Sequence, residues 1–131
     1  MDSDKLMELA KAAAKNSYSP YSGFSVGAAL LCSDGSVYTG CNVENVSFSA
    51  TNCAERTAVF SAIADGKRSF VKIAVAAFQK DGSMLLTPPC GVCRQVLCEF
   101  CGKDLDVILT DGKEIIEKKL GSLMPLAFEK F

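Results

Sequence analysis

Phe24-Ser25-Val26-Gly27-Ala28-Ala29-Leu30-Leu31-Cys32, followed by Ser33-Asp34-Gly35 and then Ser36-Val37-Tyr38-Thr39-Gly40-Cys41-Asn42-Val43, is the stretch that decides the fold. Two runs of strand-forming residues flank a short polar break ending in glycine, which predicts a β-hairpin with strands over 24–32 and 36–43. Toward the C-terminus, a helix is expected to start near Cys53, with Thr51 or Asn52 as its cap. It should run to about Ala64, where Asp65 and Gly66 end it. The Val, Ile and Ala content of 71–78 reads as a buried strand. Pro88 and Pro89 then interrupt the chain, a further helix covers 91–100, and 106–110 reads as another strand. Strand, helix, strand, helix, strand after a hairpin implies right-handed crossovers and a parallel portion of sheet. Toward the N-terminus, a helix over 4–15 is expected, capped by Ser3, with Leu6, Met7, Leu9, Ala10 and Ala13 on its apolar face. The class is α/β, a mixed sheet with helices on its faces; the pattern after Thr110 leaves the strand count open.

The 131 residues are 49% apolar and 22% charged, enough apolar content for one packed core. No repeat, charge block or long linker divides them, so a single domain over 1–131 is expected. Fourteen basic against fifteen acidic residues give a net charge of -1, which provides no broad basic field for a nucleic-acid backbone. The N-terminus lacks the basic and apolar regions of a secretory signal, and the apolar run from Val26 to Cys32 is too short to span a bilayer. A cytoplasmic protein with no membrane partner is the expectation. Seven cysteines, an odd number, fit a disulfide framework poorly and point to metal binding, catalysis or burial. There is no histidine, which removes every Ser-His-Asp or Cys-His arrangement and all His-containing metal sites.

Cys90-Gly91-Val92-Cys93 places two sulfurs at a helix start, where both can reach one tetrahedral ion. A redox dithiol has the same spacing, and two buried cysteines are the plain alternative. Cys98 and Cys101 form a second such pair, and four thiolates would suggest a closed structural site. However, 94–100 reads as continuous helix, on which Cys98 points away from Cys93, so Cys98 and Cys101 are assigned to helix packing. The third candidate ligand is Cys53, at the start of the second helix, where the positive end of the helix dipole favours a thiolate. Joined to Cys90 and Cys93, it would give a metal three protein ligands and one open position, the arrangement of a catalytic zinc. Glu55, two residues along, would then be placed to take a proton from the metal's water; read alone, it is an acidic residue in a helix first turn. The negative charge of three thiolates is expected to be offset by two helix N-termini and by Arg56 and Arg94, Arg56 being the stronger candidate.

Cys53-Ala54-Glu55 followed by Pro89-Cys90-Gly91-Val92-Cys93 matches the zinc deaminase signature in its three-cysteine variant. The segments 20–30, Asn42-Val43-Glu44-Asn45, 53–58 and 90–96 occur in the order of the small homotetrameric cytidine deaminases, which the chain resembles from about Tyr18 to Phe128. That resemblance implies a three-layer α/β/α fold with a mixed five-stranded sheet and one Zn2+ per chain on Cys53, Cys90 and Cys93. It implies hydrolytic deamination of cytidine and 2′-deoxycytidine in pyrimidine salvage, with Glu55 moving the protons. Asn42 and Glu44, two apart on an extended segment, leave the same face, and the family assigns such a pair to the ribose hydroxyls. The resemblance also implies that Phe24 packs on the pyrimidine, that Ala54 lines the pocket and that the Pro88 carbonyl accepts from the substrate amine. Phe128 lies in a segment whose aromatic residue completes a neighbouring subunit's pocket, so a homotetramer with shared sites is implied. The chain departs from the family pattern at Pro88, usually serine or threonine, and at Phe48, commonly tyrosine.

Other readings remain at this point. A deaminase of the same superfamily acting on a cytosine-containing antibiotic is the nearest. A polynucleotide-editing enzyme lacks a basic stripe and interleaved aromatics here. A non-catalytic zinc module would need a fourth protein ligand, and a thiol redox protein would need no metal.

Overall fold

The computed structural model describes residues 1–131. Its elements run α1 (Ser3–Ala14), β1 (Ser25–Cys32), β2 (Val37–Cys41), α2 (Ala54–Ala64), β3 (Phe70–Phe78), α3 (Gly91–Cys101), β4 (Asp106–Thr110), β5 (Ile115–Lys119) and the single turn α4 (Leu120–Leu123). One sheet orders its strands β2-β1-β3-β4-β5; only β3 and β4 pair in parallel, while the other neighbours are antiparallel. The expected mixed five-stranded sheet is present. The strand count that the sequence pattern left open is settled by β5, which folds back on β4 after a turn at Gly112, where φ is +97°.

Strand β1 explains the layering. Val26 to Cys32 is buried on both faces, as a central strand must be. Ala28, Leu30 and Cys32 point into a cluster with Ala58, Val59, Ala62 and Leu97 of α2 and α3. The alternate residues Ala29 and Leu31 meet Leu6, Met7 and Ala10 of α1 on the other face. The result is the three-layer α/β/α sandwich. Both helix contacts rest on missing side chains: a Cβ on Gly27 would sit 2.0 Å from the Ala10 carbonyl oxygen, and one on Gly40 would sit 2.5 Å from that of Ala54. Gly40 therefore lets the first turn of α2 lie directly on β2.

Three local expectations are corrected. The cap of α1 is Asp2, whose carboxylate accepts from the Lys5 N–H at 2.8 Å, and the helix begins at Ser3. Strand β2 ends at Cys41 because Val26 N–H donates to the Asn42 side chain at 2.9 Å, so an amide group takes over where the main-chain ladder would continue. Neither Thr51 nor Asn52 caps α2. Asn52 stays extended, exchanging main-chain bonds with Val43, and Thr51 accepts from Asn45, so the cap position falls to Cys53 with no side-chain capping bond.

Candidate active site

Cys53 caps α2 and Cys90 caps α3, and neither gives its side chain to the helix it starts. Neither helix N-terminus is thus closed by its cap side chain, and both helices start beside the same pair of sulfurs. Their sulfurs lie 3.8 Å apart, and the sulfurs of Cys53, Cys90 and Cys93 all fall within 4.8 Å of one another. Two sulfurs at about 2.3 Å from one tetrahedral ion would be about 3.8 Å apart, so the pair already has the separation a zinc ion requires. Cys93, one turn into α3, is fully buried behind them.

Protonation tells the same story. Hydrogen bonds from Cys93 and from Arg56, with Cys90 adding to them, pull the Cys53 thiol well below its ordinary range. The bond it gives to Cys53, together with burial and nearby negative charge, pushes Cys93 up. The cluster favours one thiolate and resists a second, which is the electrostatic condition a divalent cation relieves. Arg56 donates to the Cys53 sulfur at 3.2 Å, and its Nε is buried with no hydrogen-bond partner, as suits a guanidinium whose counterpart is the negative charge of the sulfurs. Arg94 does not share this role. Its guanidinium donates to the carbonyls of Pro89 and Leu123, which corrects its assignment to charge balance.

Glu55 is 4% exposed, and burial raises its carboxyl to about 7, with the charge of Cys53 adding to the shift and Arg56 opposing it. No side chain partners it. It opens onto a cavity of about 290 Å3 that is also lined by Phe24, Asn42, Glu44, Ala54 and Pro88 and by Cys53 and Cys90. A larger hollow of about 540 Å3, between α1 and the strand ends at Ser25 and Phe78, holds only Glu8, Lys11 and Lys15 as charged groups and none of this chemistry.

The polar wall is held by its own bonds. Asn42 accepts from Val26 N–H and from the Ser17 hydroxyl and donates to the Phe24 carbonyl at 2.8 Å, so it fixes the chain where Phe24 leads into β1. One amide hydrogen remains. Glu44 accepts from the N–H groups of Tyr21 and Ser22 at 3.0 and 3.1 Å and from the Ser22 hydroxyl, which lowers its pKa and keeps it ionised. Ser22, Thr51 and Thr87 also line the cavity. Sequence reasoning passed over them because single hydroxyls in loops carry no spacing signal. Phe128 lies outside this cavity, in a tail beside α3, 62% exposed, with its carbonyl accepting from Gln95 at 2.9 Å. Cys98 and Cys101 pack half-buried against the core, as expected, and burial raises Cys101 to about 12.

Residues 1–109 match the family description "cytidine and deoxycytidylate deaminase zinc-binding region". The chain belongs to the zinc-dependent cytidine deaminases. It is 50% identical over 131 residues to a cytidine deaminase of Sporosarcina psychrophila, covering 99% of this chain and 93% of that one. It is 48% identical over 129 residues to one of Halalkalibacterium halodurans, covering 98% and 95%. The crystal structure of cytidine deaminase from Burkholderia pseudomallei superposes with a TM-score of 0.90 at 46% identity, covering 98% of this chain and all of that one. This cytidine deaminase is therefore an enzyme whose metal is zinc, and its three-cysteine cluster fits that ion. No helix of the deaminase is long and apolar enough to cross a membrane.

Proposed function

We propose that the enzyme, acting as one domain over residues 1–131, hydrolyses the exocyclic amine of cytidine and 2′-deoxycytidine, giving the uridine products and ammonia in pyrimidine salvage. The observation that carries this reading is the single cavity that joins the three-cysteine cluster, buried Glu55, the aromatic Phe24 and the polar pair Asn42 and Glu44. Zinc, when held by Cys53, Cys90 and Cys93, supplies the Lewis acid that lowers the pKa of the attacking water toward neutrality. Glu55 accepts one proton of that water and delivers it to N3 of the pyrimidine; it then takes the remaining proton from the hydroxyl newly bonded to C4 and gives it to the amine, so that the C4–N bond breaks, ammonia leaves and the C4 carbonyl forms. A carboxyl raised to about 7 can both take and give a proton near neutral pH, so one residue serves each transfer and histidine is dispensable. Phe24 packs on the base, Ala54 closes the pocket beside it, and the Pro88 carbonyl accepts from the amine. Glu44 accepts from a ribose hydroxyl through its less occupied oxygen, and the remaining Asn42 hydrogen donates to the sugar.

The chain works as a homotetramer in which Phe128 of one copy closes the pocket of another; its exposure and its absence from the lining of its own cavity support that arrangement. Seven free cysteines, three of them at the centre, suit a reducing cytoplasm. The test is conversion of cytidine, deoxycytidine and free cytosine by the purified protein, with zinc counted per chain. Turnover of both nucleosides with about one zinc per chain is the expected result. Stoichiometric zinc with no turnover would point to another substrate.

A further inference from the structure

Pro88, Pro89 and Cys90 deliver one sulfur to the metal centre, yet this stretch has almost no structure of its own. Two of the three residues lack an N–H, and the last main-chain donor bonded before it is Leu85, to Ala77 at 3.1 Å. The carbonyls of Cys90 and Pro89 are both satisfied by the same residue. Arg94 gives its backbone N–H to Cys90 at 2.9 Å and its Nε to Pro89 at 2.7 Å. Apart from the sulfur contact between Cys53 and Cys90, no other hydrogen bond reaches these three residues. Pro89 is fully buried, so its carbonyl has no water to turn to if that donor is lost. The second arm of the guanidinium, Nη1, donates to the Leu123 carbonyl at 2.7 Å, at the end of α4.

We propose that Arg94 is a positioning residue. By bridging the carbonyls of Pro89 and Leu123, it ties the Pro88–Cys90 stretch to the C-terminal helix and so holds Cys90 in place for zinc. The inference rests on the zinc assignment of the three cysteines. The planar guanidinium reaches two carbonyls at once, a task an ammonium group at the same position cannot copy. Because Arg56 rather than Arg94 touches the sulfurs, the bridge and not the charge is what Arg94 contributes. Pro88 lines the cavity, so slack in this stretch would also loosen the wall that faces the substrate.

The test follows zinc release from the holoenzyme to a chromogenic chelator for the parent, Arg94→Ala and Arg94→Lys, with far-UV circular dichroism as the check on fold. Residues that orient metal ligands are commonly worth about ten- to a hundred-fold in metal affinity, and release from both variants is expected to quicken by about ten-fold or more. Lysine should behave like alanine, and kcat at saturating zinc should fall in both. Parent-like release from Arg94→Ala would overturn the proposal, as would full rescue by Arg94→Lys, which would make charge the operative property. Should Arg94→Ala not fold, Arg94→Lys and Arg94→Gln carry the same comparison. A parent enzyme that holds no zinc would overturn the metal assignment and this inference together, whereas parent-like release from a zinc-loaded variant overturns the inference alone.

Discussion

The sulfur of Cys53 lies 3.8 Å from that of Cys90, although 37 positions separate the two residues in the chain. The closeness comes from two helices starting at one spot. α2 is seated on β2 by Gly40, α3 follows the two prolines, and each helix leaves its cap position to a cysteine. Both sulfurs then share the positive ends of two helix dipoles.

Replacing either end of that pair should empty the site. Cys53→Ala and Cys90→Ala each leave two sulfurs for an ion that prefers three protein ligands and an open position. Zinc measured by elemental analysis after gel filtration should fall far below the parent level, and turnover should go with it. A variant that keeps both its zinc and its activity would contradict the ligand set.

Glu55→Gln separates binding from proton transfer. The amide has the same shape and lies in the same buried cavity, so zinc content and the unfolding midpoint should stay close to the parent. Turnover of cytidine should drop by about a hundred- to ten-thousand-fold, the usual worth of a positioned acid–base group. Retained deamination would remove Glu55 from the proton path.

Gly40→Ala tests the seat of α2. The new Cβ would meet the Ala54 carbonyl oxygen and the Ala58 nitrogen at 2.5 Å each, and both are backbone atoms that cannot swing aside. Overpacking of this kind costs about 1–3 kcal/mol, readable as a lower urea midpoint. Because the displaced turn carries Cys53 and Glu55, kcat should fall more than the stability change alone would produce.

Phe128 offers a test of shared sites. Phe128→Ala and Glu55→Gln chains should each be poorly active alone. Mixed by denaturation and refolding, they should regain activity, because some pockets then combine an intact Glu55 with an intact Phe128 from another copy. Mixtures no more active than the average of the two variants would place Phe128 outside the working pocket.

Asp34, in the turn between β1 and β2, gives a pH-dependent signal remote from the metal. The hydrogen bond from Lys67, with others from Ser36, holds its carboxyl well below the usual carboxylate range. A depressed folded-state pKa means that its contribution is present above about pH 4 and is lost as pH falls through the folded value. A carbon-13 titration should find Asp34 still ionised where ordinary aspartates have protonated. In Lys67→Ala the midpoint should move back up toward the ordinary value.

The hairpin at Ser33-Asp34-Gly35, the bounds of β4, and α3 within a residue of its end were legible because local chemistry sets them: a glycine at φ +90°, a short continuously buried run and a pair of prolines. Legibility failed where a distant group competed. Asn42 ended β2 early because its amide bonds Val26 across the hairpin, and Asn52 could not cap α2 because Val43 already holds it extended. Arg56 and Arg94 look alike in sequence, each following a cysteine of the cluster within three residues, yet one faces sulfur and the other faces two carbonyls.

By itself the sequence determined the residue types at the centre: three cysteines, a carboxylate two positions from one of them, and no histidine to compete for either role. Those follow from covalent spacing and helix geometry, which are properties of neighbours along the chain. Only the tertiary structure decided that the sulfurs fall within 4.8 Å, that Glu55 is dry enough to hold its proton to about 7, and that Asn42 uses most of its hydrogen bonds on the protein itself. Each of these depends on close packing between segments remote in the chain. Burial, field and hydrogen-bond competition exist only once those segments meet.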